Sequence, residues 1–510
     1  MLGPSLLVAP LAAFLIGLCA IRAVRRIALA VGFVDSPDRR RKLHEAPIPL
    51  GGGVAVWLAT WSGWGISLLG CSSGTGEAAG AGWFHAALAI ASTMILALGV
   101  TDDRYGLRGR QKLAGQVIAA LILVGLGPRI DALSCFGAEV ELGIFDYPIT
   151  TLWILLVINA FNLMDGMDGF CGSLGLVASL AIAFLAYGSG RVEDALVGLA
   201  LAGALAAFLR ENLPPARIYL GDAGSMTLGM MVSALSVRAC SDGPNTAVSL
   251  PPLVALLTLP LLDVATALCR RWLTGRSLYN PDHGHIHHRL RNRLGGAVAA
   301  LGAAIGLAIL GAVGATLARE YGMGDHMAGL AVVISVGLLV FTNTFGRSEL
   351  RLLSFRLQTA VALFLTWGAA RRGAVRQECH LHGIRDWAGV WDALIREVEA
   401  LGVWRVELAI DMPAAGETYH GLWSLPAASE DEPNWSVVHT LSVGGVPAGI
   451  LRIAGNVEAC RSRYLDRVGE LVQVLEGRLE MDVPPPLPFA APSPGRCDVA
   501  SDAAPRCQII

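Results

Sequence analysis

Long apolar blocks, separated by short polar segments, run through the first two thirds of the chain. A block of about 18 or more apolar residues can cross the ~30 Å hydrocarbon core of a bilayer as a helix. The blocks predict about eleven spans, near residues 5–23, 50–70, 83–101, 112–128, 150–164, 169–188, 193–209, 218–237, 250–270, 297–317 and 328–343. We therefore expect an all-α polytopic membrane protein.

The segments between these blocks alternate between basic ones and ones nearly free of Lys and Arg. The basic set comprises residues 22–42, 104–112, 210–217, 270–293 and everything beyond 347. Basic loops face the cytoplasm in membrane proteins. The pattern predicts a multi-pass protein of the inner (plasma) membrane, with its N-terminus outside and both the active site and the C-terminus cytoplasmic.

The pattern changes near residue 345, where the predicted membrane domain 1–345 ends. An interfacial helix or linker follows at 346–374, and then a small soluble, cytosolic α+β appendage of unknown role at 375–481. Within the appendage we expect helices over 387–401 and 458–481 and strands over 405–410, 436–443 and 448–453. The Pro-, Ala- and Ser-rich tail 482–510 is predicted to be disordered.

Composition narrows the function further. The chain is 54% hydrophobic and only 16% charged, which is typical of a membrane protein. A net charge of −2 gives no reason to expect a nucleic-acid partner. The ten cysteines are scattered without CxxC pairs, which disfavours a disulfide framework or a structural metal site.

Ionisable residues cluster at five places beside the apolar blocks, all on the predicted cytoplasmic side, and such clusters indicate a site. In the first, Lys42 and His44 follow three arginines and precede a glycine run at 51–53. This group suits phosphate binding, although a topology signal alone would also explain the arginines. In the second, Asp102 and Asp103 end a span before Lys112. Adjacent carboxylates suit metal binding or general-base catalysis, while an acidic loop end is the plainer interpretation.

The third cluster contains four oxygen-bearing side chains, Asn159, Asn162, Asp165 and Asp168. On a helix, residues three apart share a face, so we expect these groups to line one side of a helix. Carboxylate and amide oxygens suit Mg²⁺ or a nucleobase and ribose. A polar helix–helix interface is the alternative.

The fourth and fifth clusters add a carboxylate and a cationic loop. Asp222 lies between glycines at the start of a span, where it could approach a metal-bound pyrophosphate or simply cap a helix. The predicted loop that contains Arg276, His285, His287 and His288 suits phosphate and sugar groups, with a zinc site as the alternative. Carboxylates, cations and an adjacent membrane together indicate phosphoryl transfer to or from a lipid.

The five clusters, in this order over residues 30–295, resemble the polyprenyl-phosphate N-acetylhexosamine-1-phosphate transferase family. The resemblance implies transfer of a sugar 1-phosphate from a UDP-sugar to undecaprenyl phosphate, a membrane lipid, with release of UMP. It implies Mg²⁺ as the cofactor, with Mn²⁺ as the alternative, and is compatible with a homodimer. The sequence His-Ile-His-His-Arg favours the N-acetylglucosamine branch over the phospho-N-acetylmuramoyl-pentapeptide branch, which is the alternative.

The resemblance also implies roles for individual residues. Catalytic roles fall to Asp102, Asp103, Asp165 and Asp168. The metal ligands would be Asp222 and Asn162. Contacts to the substrates would come from Lys42, His44, Lys112, Asn159, Arg276, His285, His287 and His288. A flippase would place its charges near mid-span rather than at one end, whereas a metal-dependent hydrolase is not excluded by the sequence.

Overall fold

A computed structural model describes residues 4–35, 47–70, 80–127, 129–241, 247–273, 285–320, 325–342, 375–382, 387–399, 403–412, 417–424, 435–443, 446–455 and the single residue 473. The chain divides into two units, Met1–Arg347 and Ser348–Ile510. The predicted interfacial segment 346–374 and the tail 482–510 lie outside the described residues. Almost all of the predicted helix 458–481 also lies outside them.

The described part of the first unit is almost entirely helical, as its apolar blocks predict. Its helices are α1 (Pro4–Ala30), α2 (Gly52–Gly70), α3 (Gly80–Tyr105), α4 (Gly109–Leu126), α5 (Asp146–Met164), α6 (Phe170–Gly188), α7 (Val192–Asn212), α8 (Gly221–Ala239), α9 (Leu250–Leu256), α10 (Thr258–Leu273), α11 (Ile286–Leu294), α12 (Ala297–Glu320) and α13 (Asp325–Phe341). A helix satisfies its backbone hydrogen bonds within one segment, which lipid requires because it offers no partners.

Six of the described helices are long and apolar enough to cross a membrane, or seven spans if α9 and α10 count as one. The six correspond to Leu6–Ala30, Trp83–Tyr105, Gly143–Met164, Phe170–Gly188, Val192–Asn212 and Ala297–Leu317. The expectation of a mostly helical membrane protein is confirmed. The larger number of eleven spans stays a prediction.

The predicted single span at 250–270 is wrong in one respect. Two helices, α9 and α10, meet there at an angle of 88°. Pro260 lies in the first turn of α10. Because proline has no N–H to donate to the carbonyl four residues earlier, a continuous helix through this point would lose a hydrogen bond and meet the proline ring. The chain therefore turns at Leu257.

Short strands occur where the sequence suggested only connecting segments. Strands β1 (Val34–Asp35) and β2 (Ile48–Pro49) pair antiparallel. Strands β3 (Ala132–Cys135), β4 (Ala138–Glu141) and β5 (Val248–Ser249) form a second sheet in the order β4-β3-β5. The strands are too short for their side-chain alternation to stand out in a sequence.

Helix α8 is buried along almost its whole length and packs against α2, α3, α5 and α6. Glycines allow the closest approach. A methyl group added at Gly53 would lie 2.2 Å from the Cα atom of Gly224. The N-termini of α2 and α8 therefore meet backbone to backbone, which no larger side chain would permit. This contact fixes the position of the start of α8.

The described part of the second unit is a five-stranded antiparallel sheet with one helix. The elements are β6 (Val375–His382), α14 (Trp387–Glu399), β7 (Val403–Met412), β8 (Glu417–Ser424), β9 (Trp435–Val443) and β10 (Val446–Gly455), and the strand order is β6-β8-β7-β10-β9. The sequence anticipated β7, β9, β10 and α14 but missed β6 and β8. In β8 the apolar pattern is interrupted by Gly421, where a Cβ would lie 2.8 Å from the Trp391 ring.

Candidate active site

Side chains from three helices converge on the ammonium group of Lys112, which a fourth helix supplies. Its Nζ lies 2.9 Å from Asp102 Oδ2, 2.5 Å from Asp222 Oδ2 and 3.1 Å from Asn162 Oδ1. Asp102 comes from the end of α3, Asn162 from the end of α5, and Lys112 and Asp222 from the starts of α4 and α8. The structure thus brings together residues from three clusters that lie far apart in the chain.

Exposure differs among these side chains. It is 9% for Asp102, 17% for Lys112 and 36% for Asp222. Asp222 is therefore within reach of a ligand, whereas Asp102 lies deeper. Asp102 also accepts a hydrogen bond of 2.7 Å from the backbone N–H of Leu107, so the turn after α3 holds its carboxylate in place.

Asp103 faces the N-terminus of α8. Its two oxygens accept the backbone N–H groups of Asp222 (2.9 Å) and Ala223 (3.1 Å). A carboxylate at a helix N-terminus satisfies unpaired N–H groups and interacts favourably with the helix dipole. Gly221 has a φ of +73°, and a Cβ there would lie 2.7 Å from Asp103 Oδ2. Asp103 therefore fixes where Asp222 sits.

Asn162 is the second partner of Asp222. Its Nδ2 donates to Asp222 Oδ1 at 2.8 Å and to Ser225 Oγ at 3.1 Å. Ser225 lies three residues after Asp222, about one helical turn along the same face of α8. Asn159 lies deeper, where its Nδ2 donates to Gln116 Oε1 at 3.0 Å and to the Leu155 carbonyl at 2.8 Å.

The expectation that Asp165 and Asp168 continue the helix face of Asn162 is wrong. Helix α5 ends at Met164, and the chain passes through a turn to Gly169, which has a φ of +73°. Asp165 interacts with the backbone N–H of Gly221, and burial together with the nearby carboxylates raises its pKa well above the usual range.

Asp168 accepts the backbone N–H of Ala216 at 2.9 Å. Through this bond and the contact of Asp165 with Gly221, the two aspartates join the turn after α5 to the segment that leads into α8. Neither carboxylate is among the oxygens that contact Lys112.

The histidine segment is partly helical rather than a loop, because α11 begins at Ile286. His285 precedes it, and the rings of His285, His287 and His288 lie side by side, with centroids 5.8 Å and 4.2 Å apart in that order. The ring of His287 is buried against Gly166, and burial with the two neighbouring imidazoles lowers its pKa to about 3. His287 is therefore neutral at physiological pH. Lys42, His44 and Arg276 lie outside the described residues.

The donor atoms around Lys112 fit a divalent cation of the Mg²⁺ type. Asp102, Asp222 and Asn162 place hard oxygens around one cationic group, and Mg²⁺ prefers carboxylate and carbonyl oxygens. No group of three or more His, Cys, Asp or Glu side chains suited to a metal occurs in the described part of the chain.

Residues 85–240, which include Asp102, Lys112, Asn162 and Asp222, match glycosyl transferase family 4. A probable undecaprenyl-phosphate N-acetylglucosaminyl 1-phosphate transferase from Bacillus subtilis (strain 168) is 32% identical over 269 residues, covering 52% of this chain and 72% of the relative. The chain belongs to this family. The resemblance inferred from the five clusters is thereby confirmed.

Two further relatives extend the likeness. The decaprenyl-phosphate N-acetylglucosaminephosphotransferase of Mycobacterium tuberculosis (strain ATCC 25618 / H37Rv) is 32% identical over 306 residues, 55% of this chain and 74% of the relative. An undecaprenyl-phosphate alpha-N-acetylglucosaminyl 1-phosphate transferase of Yersinia pestis is 29% identical over 318 residues, 60% and 83% of the two chains. All three names specify a polyprenyl phosphate and N-acetylglucosamine. This family member is accordingly a membrane-bound phosphotransferase.

Proposed function

We propose that this enzyme transfers N-acetylglucosamine 1-phosphate from UDP-N-acetylglucosamine to undecaprenyl phosphate and releases UMP. The observation that carries the proposal is the group of Asp102, Lys112, Asn162 and Asp222 at one end of the helices, in a chain whose relatives are named for this transfer. Two anionic substrates must meet in such a reaction, so a site that combines cations with cation-binding oxygens suits it.

The proposed step exchanges one P–O bond for another. An oxygen of the lipid phosphate forms a bond to the β-phosphorus of the donor. The bond from this phosphorus to the oxygen that bridges the α- and β-phosphates breaks, and that oxygen leaves on UMP with its electron pair. Positioning and charge neutralisation supply most of the catalysis in such transfers.

The residues of the group have distinct proposed roles. Asp102, held by Lys112 and the Leu107 N–H, orients the attacking phosphate. Asp222 and Asn162 would hold Mg²⁺, with Mn²⁺ as the alternative, and the bound ion would neutralise charge on the diphosphate. Lys112 places a positive charge where the phosphates meet. Asp103 and the turn that contains Asp165 hold the start of α8 in place through its backbone N–H groups.

The proposal includes a topology. Eleven spans with the N-terminus outside would place the site and the C-terminus at the cytoplasmic face of the inner membrane, where nucleotide sugars are made. The alternation of basic and non-basic segments supports this orientation. Protease cleavage of a C-terminal tag in inside-out vesicles, but not in intact cells, is the expected result.

Incubation of the purified protein with labelled UDP-N-acetylglucosamine, Mg²⁺ and undecaprenyl phosphate tests the reaction. We expect labelled lipid and UMP in equal amounts, and neither product without the lipid. Free N-acetylglucosamine 1-phosphate with no labelled lipid would identify a hydrolase and contradict the proposal. Other UDP-sugars, including UDP-N-acetylmuramoyl-pentapeptide, assayed in parallel define the donor.

A further inference from the structure

Asp263 is a fully buried carboxylate in α10. A buried carboxylate is costly unless hydrogen bonds satisfy it. Its Oδ2 lies 2.8 Å from His285 Nδ1, and its Oδ1 accepts the backbone N–H of Ile286 at 2.7 Å. The sequence alone gives no reason to assign this carboxylate a role.

These two hydrogen bonds fix the start of α11 and the orientation of one imidazole. The bond to Ile286 satisfies an N–H group at the helix N-terminus. A carboxylate can only accept hydrogen bonds, so His285 carries a proton on Nδ1 and its Nε2 faces away from the carboxylate. The carboxylate thus determines the direction of the His285 ring and which ring nitrogen is left for a ligand.

The position of the His287 ring depends on the same two hydrogen bonds, because His287 lies in the first turn of α11. Its ring lies nearly parallel to that of His285, at an interplanar angle of 3°, and packs on Gly166 in the turn whose Asp165 contacts Gly221. Although His287 is only 3% exposed, its Nδ1 has no hydrogen-bond partner among the described residues. A buried polar atom without a partner points to a ligand that supplies one.

We infer that Asp263 is a positioning residue for the nucleotide-sugar donor, which it serves by presenting the His285 Nε2 atom and the buried His287 ring beside the start of α8. This inference rests on the proposed function. The ring of His287, whose lowered pKa keeps it neutral, can accept a hydrogen bond from a hydroxyl or amide N–H, of which UDP-N-acetylglucosamine has several. Undecaprenyl phosphate, the other substrate, has no N–H group, and its phosphate has no O–H group to donate when it is ionised.

The substitution Asp263→Asn separates positioning from folding. Asparagine keeps the size of aspartate, and its Oδ1 can still accept the Ile286 N–H. Its Nδ2 would face His285 Nδ1, which must then accept a hydrogen bond where it donates one in wild type, so the imidazole proton moves to Nε2. We expect KM for UDP-N-acetylglucosamine to rise at least about tenfold, with KM for undecaprenyl phosphate unchanged within about twofold.

Asp325→Asn is the matched control, because Asp325 also accepts a backbone N–H, that of Phe136, and a side-chain donor, the Ser249 hydroxyl. Its partners belong to the β3–β4–β5 region and not to the candidate site. We expect both KM values to stay at their wild-type levels in this variant. Equal effects of the two substitutions, or equal changes in both KM values for Asp263→Asn, would overturn the inference.

Calorimetric titration with UDP-N-acetylglucosamine, without the lipid, keeps the inference testable if the wild type shows no transfer. Weaker binding by Asp263→Asn than by wild type and Asp325→Asn would support donor positioning even then. Indistinguishable binding by all three proteins would overturn it. If the wild type showed no transfer but these binding differences were found, the result would count against the proposed function and not against the role of Asp263.

Discussion

The first unit has groups of charged side chains at both ends of α3 and α8, and the two groups differ in kind. At one end Asp102 and Asp222 contact Lys112 beside Asn162. At the other end the carboxylate of Asp194 on α7 lies between His85, near the start of α3, and Arg238, at the end of α8.

The second group is closed. His85 Nε2 lies 2.9 Å from Asp194 Oδ1, and Arg238 Nε lies 2.6 Å from Asp194 Oδ2. Both His85 and Asp194 are 2% exposed. The Arg238 guanidinium also lies 4.3 Å from the centroid of the Phe84 ring. Each oxygen of the central carboxylate therefore has a cationic or ring N–H partner.

The comparison teaches that buried charge by itself does not mark a site. Around Lys112 the oxygen-bearing side chains outnumber the cation, and Asp222 is 36% exposed. Around Asp194 both carboxylate oxygens are paired and only 2% of the side chain is exposed, and a second carboxylate, that of Glu193, lies 3.3 Å from the other ring nitrogen of His85. An accessible carboxylate leaves capacity for a ligand, whereas a carboxylate whose two oxygens are paired away from solvent has none.

The largest effect should come from Asp222→Ala. Loss of the exposed carboxylate removes the proposed cation ligand, and we expect transfer to fall by at least about a thousandfold, or ~4 kcal/mol of transition-state stabilisation. The thermal unfolding midpoint should change little, because Asp222 is partly exposed. Labelled-lipid formation and a melting curve on the same sample measure both. Full activity would refute the metal assignment.

At the opposite end, Arg238→Met should lower stability and leave the chemistry intact. It leaves Asp194 buried with one cationic partner fewer, which costs about 3 kcal/mol in folded proteins. We expect a lower unfolding midpoint in detergent and an unchanged kcat per folded molecule. Arg25→Met, at an exposed position of α1, is the control and should change neither. A loss of kcat at wild-type stability would assign this end to catalysis.

Lys112→Met tests the centre of the first group. Without the ammonium, Asp102, Asp222 and both anionic substrates repel one another, so we expect transfer to fall about a hundredfold, or ~2.7 kcal/mol. Steady-state assays at saturating donor and lipid measure this change. Activity within about twofold of wild type would show that the ammonium only balances charge, as Arg238 does at the other end.

The smallest effect concerns pH. The pKa of His287 is lowered from 6.5 to about 3 in the folded protein, so the unfolded chain binds its proton more readily. Its contribution to stability is fully present above pH 6.5 and is lost as the pH falls towards 3. Between pH 7 and pH 5, wild type should lose about 1–2 kcal/mol more stability than His287→Gln. Unfolding curves across this range measure the difference, and parallel losses would contradict the burial of a neutral ring.

Several features could be predicted from residues alone. The apolar blocks indicate helices in a membrane because only a long apolar helix meets the needs of the bilayer. The five polar clusters led to the family, since ionisable residues are costly beside lipid and mark a site. The strands β7, β9 and β10 followed from local alternation, which depends on near neighbours.

The partners across helices depended on tertiary packing. No spacing reveals that Lys112 lies between Asp102 and Asp222, because these contacts join residues up to 110 positions apart. The same holds for Asp103, which caps α8, and for the ion pairs of Asp194.

The sequence by itself determined the class of protein, its polar clusters and its family, because these depend on composition and on order along the chain. Only the tertiary structure decided which carboxylates contact Lys112, where α5 and α9 end, and which charged group is closed. The physical reason is that a carboxylate behaves as a ligand, a cap or an ion-pair partner according to what surrounds it in space. Those surroundings come from distant segments.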